Sequence, residues 1–239
     1  MSHDFAERNK AEVRHGKLSI VEKFAYSVGA FSDSVPFNIF YYYFLYFLTD
    51  VVGVDPAVGG TISLIAIMWD AVTDPVVGHL SDNCRSRYGR RRPFMIGASL
   101  PIYIFTILLF TTTGETAAQQ FAYYLFAAIG FWTAYKFYVI PFLSMSAEIT
   151  DDFNERSTIK TYTGIIMYTA TWLVTAGPMF VVDKVTKSGG EEKTAWFLSA
   201  IVFGLVALAG ALVCWNFTRG KERVSYDANI IKNAYKKTR

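Results

Sequence analysis

Six long apolar blocks, at about 24–48, 57–80, 94–113, 119–147, 159–182 and 195–217, set the main constraint on this 239-residue chain. Each is long enough to cross a hydrocarbon layer of about 30 Å as a helix rising about 1.5 Å per residue. Backbone groups in lipid must find partners within the chain, which leaves helices or a closed barrel. The strict two-residue alternation of barrel strands is missing, so the blocks predict an all-α membrane protein with six transmembrane helices. Composition agrees: 18% of residues are charged, against about 25% in a soluble domain, and 52% are hydrophobic. Disorder, a collagen helix and a disulfide scaffold are excluded. Cys84 and Cys214 fit no CxxC or zinc spacing and read as free thiols, and no resident metal is expected.

Charge placement predicts the orientation. One alternate set of connections holds eighteen Lys and Arg, including Arg8, Lys10, Arg14, Lys17 and Lys23 before the first block and Arg85, Arg87, Arg90, Arg91 and Arg92 between the second and third. The other set holds Lys184, Lys187 and Lys193 alone. Positive charge stays cytoplasmic, so both termini are expected inside, in a multi-pass plasma (inner) membrane protein. The run Arg85–Arg92 then reads as a cytoplasmic anchor, not a nucleic-acid patch, and no nucleic-acid partner is expected. The polar start carries no cleavable signal peptide. This divides the chain into a cytoplasmic segment 1–23, a transmembrane domain 24–217 and a basic cytoplasmic tail 218–239. Val35-Pro36-Phe37 and Ile140-Pro141-Phe142 echo each other, as two three-helix repeats would.

Ionisable residues inside apolar spans are costly and face a cavity or a partner. Asp33, Asp70, Asp74 and Lys136 all lie at depths that allow one shared layer near mid-membrane. Asp70 and Asp74, at i and i+4, put two carboxylates on one helix face. Two like charges so close need a proton, a metal cation or a fixed positive side chain. Lys136 can supply the last, as an ion pair locking the second span to the fourth. Asp33 faces either cavity water or a helix-packing hydrogen bond. Trp69, Trp132 and Tyr135 adjoin these charges and are candidates for a pocket wall. Most of the aromatic run Phe37–Phe47 is expected to face lipid.

EKFAYSVGAFSDS (Glu22–Ser34), FLTDVVG (Phe47–Gly53), WDAVTDPVVGHLSDNCRSRYGRRRPF (Trp69–Phe94) and IPFLSMSAEITDDFNERS (Ile140–Ser157) resemble the N-terminal half of the glycoside-pentoside-hexuronide:cation symporters. These melibiose-permease-like proteins belong to the major facilitator superfamily. The most specific stretch is WDxxxDP followed by Asp82, Arg85, Gly89 and Pro93, which fit that family's loop between spans two and three. The resemblance implies one half of a major facilitator bundle, built as 3+3 repeats, and cation-coupled uptake of a sugar or glycoside by alternating access. It also implies Asp70 and Asp74 as the carboxylates that hold the coupling H⁺ or Na⁺, with Asp33, Tyr135, Lys136 and Trp132 toward the solute. No other cofactor is implied.

The sequence departs from the melibiose pattern. Val139 stands for a sugar-binding aspartate, Leu143 for a sugar-contacting tryptophan and Lys136 for a threonine beside the cation. Ser34 takes the sugar-binding aspartate position in span one, and the arginine expected near Thr163 and Gly164 is missing. Melibiose-like recognition is therefore not carried over, and Lys136 beside the acids argues against sodium-driven transport. Alternating access needs a second six-helix half, so the expected partners are the bilayer, a small solute and that half, with a fragment or split half favoured over a homodimer. Two other classes remain as alternatives: a non-transporting scaffold or sensor derived from a transporter half, and, less favoured, an intramembrane Mg²⁺-dependent transferase. HExxH, GxSxG and P-loop motifs are absent, and no enzyme activity is expected.

Overall fold

A computed structural model describes residues 18–84, 86, 91–150 and 152–218, which are helical nearly throughout. In chain order they form α1 (Ile20–Val28), α2 (Ala30–Tyr46), a π-helical segment (Phe47–Val52), α3 (Pro56–Asn83), α4 (Arg92–Leu109), α5 (Ala117–Ile149), α6 (Phe153–Lys187) and α7 (Glu192–Phe217). Five of these, α3 to α7, are long and apolar enough to cross a membrane.

The crossing expected as one helix over 24–48 is instead a run of three helical pieces from Ile20 to Val52. Gly29 joins the first two while keeping helical dihedrals (φ −56°, ψ −21°), so the axis continues through it. Its carbonyl accepts a bond from the Tyr138 hydroxyl at 2.9 Å. A Cβ there would sit 2.8 Å from the Phe142 ring and 2.9 Å from Cys214 Sγ, so only glycine lets α5 and α7 approach this closely. At the far end the π-helical segment stops at Gly53, whose φ of 86° is the left-handed conformation that favours glycine.

Three of the later helices, α3, α5 and α6, start on side chains that satisfy exposed backbone N–H groups. Asp55 caps α3 ahead of Pro56, Thr116 and Gln119 form a capping box on α5, and Asp152 accepts from Asn154 and Glu155 on α6.

Packing follows a two-fold exchange. The first crossing lies on α6 and α7, as α5 lies on α3 and α4, and α4 meets α7 across the centre. This is the pattern expected of two three-helix repeats. The exchange is incomplete, because α6 packs along α7 while α3 has no matching interface with α4 among the described residues. Where that interface is lacking, α4 and α5 frame an apolar groove of about 460 Å³ lined by Gly97, Pro101, Phe105 and Gly130.

The core forms two stacked clusters. One holds Phe40, Phe44, Phe47, Phe110, Phe131 and Trp196; the other holds Tyr26, Met95, Tyr138, Phe142, Met145 and Cys214. The aromatic run therefore splits by face. Phe40, Phe44 and Phe47 are interior, whereas Phe37, Tyr41, Tyr42 and Tyr46 are exposed and Tyr43 is half-buried. A 3.6-residue turn carries every third or fourth ring of a continuous run inward.

Two polar clamps close the end of the bundle where α4 begins. The Arg92 guanidinium donates to the Trp215 carbonyl and lies 5.0 Å over the Trp215 ring, tying the first turn of α4 to the last of α7. Glu155 accepts from the Leu18 amide at 3.1 Å and from Lys23 Nζ at 3.0 Å, tying the approach to α1 to the start of α6. The helices α3 and α6 remain the least covered, with Leu64, Met68, Val72 and Val76 on one and Ile165, Tyr168, Trp172 and Phe180 on the other strongly exposed.

Candidate functional site

Consecutive residues of α5 collect the mid-depth acids. Lys136 places Nζ 3.0 Å from Asp70 Oδ1 and 2.7 Å from Asp74 Oδ1, both on α3. Its neighbour Tyr135 donates its hydroxyl to Asp33 Oδ1, on α2, at 2.5 Å. The single layer expected from the sequence is thus two adjoining subsites, one on each flank of α5.

The Asp70–Lys136–Asp74 triad rests on a helix that is locally adapted. Asp70 and Asp74 lie one above the other by helical periodicity. Pro75 lacks the N–H that would bond the Ala71 carbonyl. Beside it the Thr73 hydroxyl bonds to the Trp69 and Asp70 carbonyls at 3.0 and 2.9 Å. Trp69 Nε1 donates to Thr133 Oγ1 at 2.9 Å, a second link between α3 and α5 next to the triad. The Lys136 and Asp70 side chains are 12% and 21% exposed, while Asp74 is 49% exposed. One edge of the triad is therefore open.

Asp33 lies deeper, at 5% exposure, three residues before Pro36. That proline leaves the Ser32 carbonyl without its usual helical donor. The Ser32 hydroxyl crosses to the Ala207 carbonyl on α7, fixing this turn against the bundle. Around Tyr135 stand Phe131, stacked at 6.1 Å, Trp132, edge-on at 5.5 Å, and Phe37, at 6.0 Å from the Tyr135 and Trp132 rings. Trp132 is buried, and its Nε1 has no hydrogen-bond partner among the described residues. A buried indole N–H without an acceptor costs about 1–3 kcal/mol, so this is an unused donor on a ring packed edge-on to Tyr135.

The positions that depart from the melibiose pattern fall on two sides of this wall. Ser34 and Val139 are buried, whereas Leu143 is exposed. Leu143 and Gly164 line a cavity of about 390 Å³ with Tyr26, Ser146, Arg156, Lys160, Thr163 and Met167. Of the loop motif, Arg85 and Gly89 lie outside the described residues. Asp82 accepts from Arg91 Nη2 at 2.9 Å, and Pro93 stands in the first turn of α4. Thr133 and Glu155 do not stand out in the sequence, and Arg91 does so only as one of the loop arginines. Their partners lie on other helices or across a loop, and no local spacing marks them.

Apolar crossings packed around paired charges at mid-depth are the build of a membrane transporter. The chain belongs to the MFS/sugar transport protein family, whose model matches residues 25–236. It is an integral membrane protein of the major facilitator type. It is 35% identical over 152 residues to an uncharacterized symporter of Synechocystis sp. (strain ATCC 27184 / PCC 6803 / Kazusa), covering 61% of this chain and 28% of that protein. It is 28% identical to the isoprimeverose transporter of Lactiplantibacillus pentosus, covering 85% of this chain and 42% of the relative. It is also 28% identical to an inner membrane symporter of Escherichia coli (strain K12), covering 87% of this chain and 44% of that protein. The chain thus spans less than half the length of these relatives.

Proposed function

We propose that this chain is one six-helix half of a secondary transporter that moves a sugar or glycoside across the membrane with a coupling cation, by alternating access. The relatives named as symporters and as an isoprimeverose transporter support that reading. The observation that carries it is the pair of adjoining subsites on α5. At one, the Asp33–Tyr135 pair offers acceptor oxygens and the unused Trp132 N–H a donor for sugar hydroxyls. At the other, Asp70 and Asp74 form the cation-binding face, with Lys136 between the two functions. A buried ionisable cluster with no transport role would be a liability in lipid.

A second six-helix half covers the bare faces of α3 and α6 in this reading, and both termini lie in the cytoplasm of a plasma (inner) membrane protein. Residues 1–23 and 218–239 are its cytoplasmic ends and 24–217 its membrane domain. No chemical step is assigned to the site, which works by binding and release and not as an enzyme. The test is equilibrium binding of a panel of glycosides and pentosides to the purified chain in nanodiscs, followed by quenching of its tryptophans. At least one solute should quench saturably, and Asp33→Asn should abolish the response. A panel with no saturable quencher would overturn the assignment.

A further inference from the structure

We infer that the Lys136 ammonium is a built-in counter-ion that fills the Asp70–Asp74 position and closes it to Na⁺ and Li⁺, so that this transporter's cycle runs without either ion. The inference rests on the transport reading and specifies which ions that site rejects.

The geometry leaves little alternative room. A metal cation shared by the two carboxylates must bond an oxygen of each. Na⁺ is close in radius to Ca²⁺, whose oxygen ligands lie at about 2.3–2.6 Å. Lys136 Nζ already lies 2.7 and 3.0 Å from those oxygens, so the bridging point and the ammonium overlap. Charge works in the same direction. Two carboxylates alone would attract a cation strongly, but the ammonium cancels one of the two charges and repels a second cation at contact distance.

Nor is the lysine easily displaced. On its own helix, Tyr135 is bonded to Asp33 of α2, and Thr133 accepts from Trp69 of α3, so the turn of α5 that leads into the residue is fastened to both helices. A plain strut between α3 and α5 would use the same ion pairs. It differs in one respect: removing a strut creates no ion site, whereas removing a resident cation does.

The experiment titrates Na⁺ against choline at constant ionic strength, up to about 100 mM, which holds screening fixed. It uses the purified chain in nanodiscs, with tryptophan fluorescence read without solute and with a solute that quenches. The wild type should show no saturable Na⁺ response. Lys136→Thr should acquire one that Asp70→Asn removes, and Na⁺ should then tighten solute binding about tenfold, a usual size for coupling between two sites. Lys136→Gln, which keeps a donor, covers the case in which the threonine variant does not fold. Lys136→Arg should stay blind to Na⁺. A saturable Na⁺ response in the wild type that Asp74→Asn abolishes would overturn the inference. So would a folded Lys136→Thr or Lys136→Gln that remains blind to Na⁺. Solute binding in choline is read separately, so a failed sodium arm leaves the transport reading intact, and a failed solute arm leaves the sodium arm readable.

Discussion

Asp33 and the Asp70–Asp74 pair face consecutive residues of α5, yet they are neutralised in different ways. Asp33 is held by a phenol and almost fully buried. Asp70 and Asp74 share an ammonium, and one of them keeps an edge open. One buried acid can be satisfied by a neutral donor, because only its own desolvation has to be offset. Two acids on one helix face add mutual repulsion, and a hydroxyl cannot offset that. The difference between Tyr135 and Lys136 is thus dictated by how many carboxylates each must serve.

The sharpest way to break this comparison is Lys136→Met, which strips the charge from a pair that cannot supply its own. Removing one partner of a buried ion pair costs about 3–5 kcal/mol, and the open edge of Asp74 puts the expected loss near the lower bound. Thermal unfolding in detergent would measure it, and a loss comparable with that of a surface substitution would show that the acids need no counter-ion. Tyr135→Phe comes next, at about 2 kcal/mol, since it leaves the Asp33 carboxylate buried without its donor. Equal losses from Tyr135→Phe and Lys136→Met would erase the distinction between the two subsites. The smallest effect, about 1 kcal/mol, is expected from Trp69→Phe, which keeps the ring and loses only the bond to Thr133. That variant reports how much of the α3–α5 junction survives without the ion pairs.

Much of this arrangement is legible in the sequence, for physical reasons that also mark where legibility stops. The crossings show because a hydrocarbon layer imposes a length on every apolar block. Lys136 near Asp70 and Asp74 follows from depth and from i,i+4 spacing, both local quantities. The pairing of Asp33 with Tyr135 is different. Sequence depth places them in one layer but not on one flank of α5, and water or a helix-packing bond satisfied Asp33 equally well on paper. The three-piece first crossing is hidden for a similar reason. Gly29 is an ordinary small residue until Phe142 and Cys214 arrive against it from distant parts of the chain. Asp82 bonding Arg91 depends on how the loop folds back, which residue type alone leaves open among several arginines.

The clamp between Arg92 and Trp215 has a mechanical consequence. It bolts the start of α4 to the end of α7, and the two helices also lie against each other across the centre of the bundle. They form one braced pair, and the faces this bracing leaves bare are those of α3 and α6.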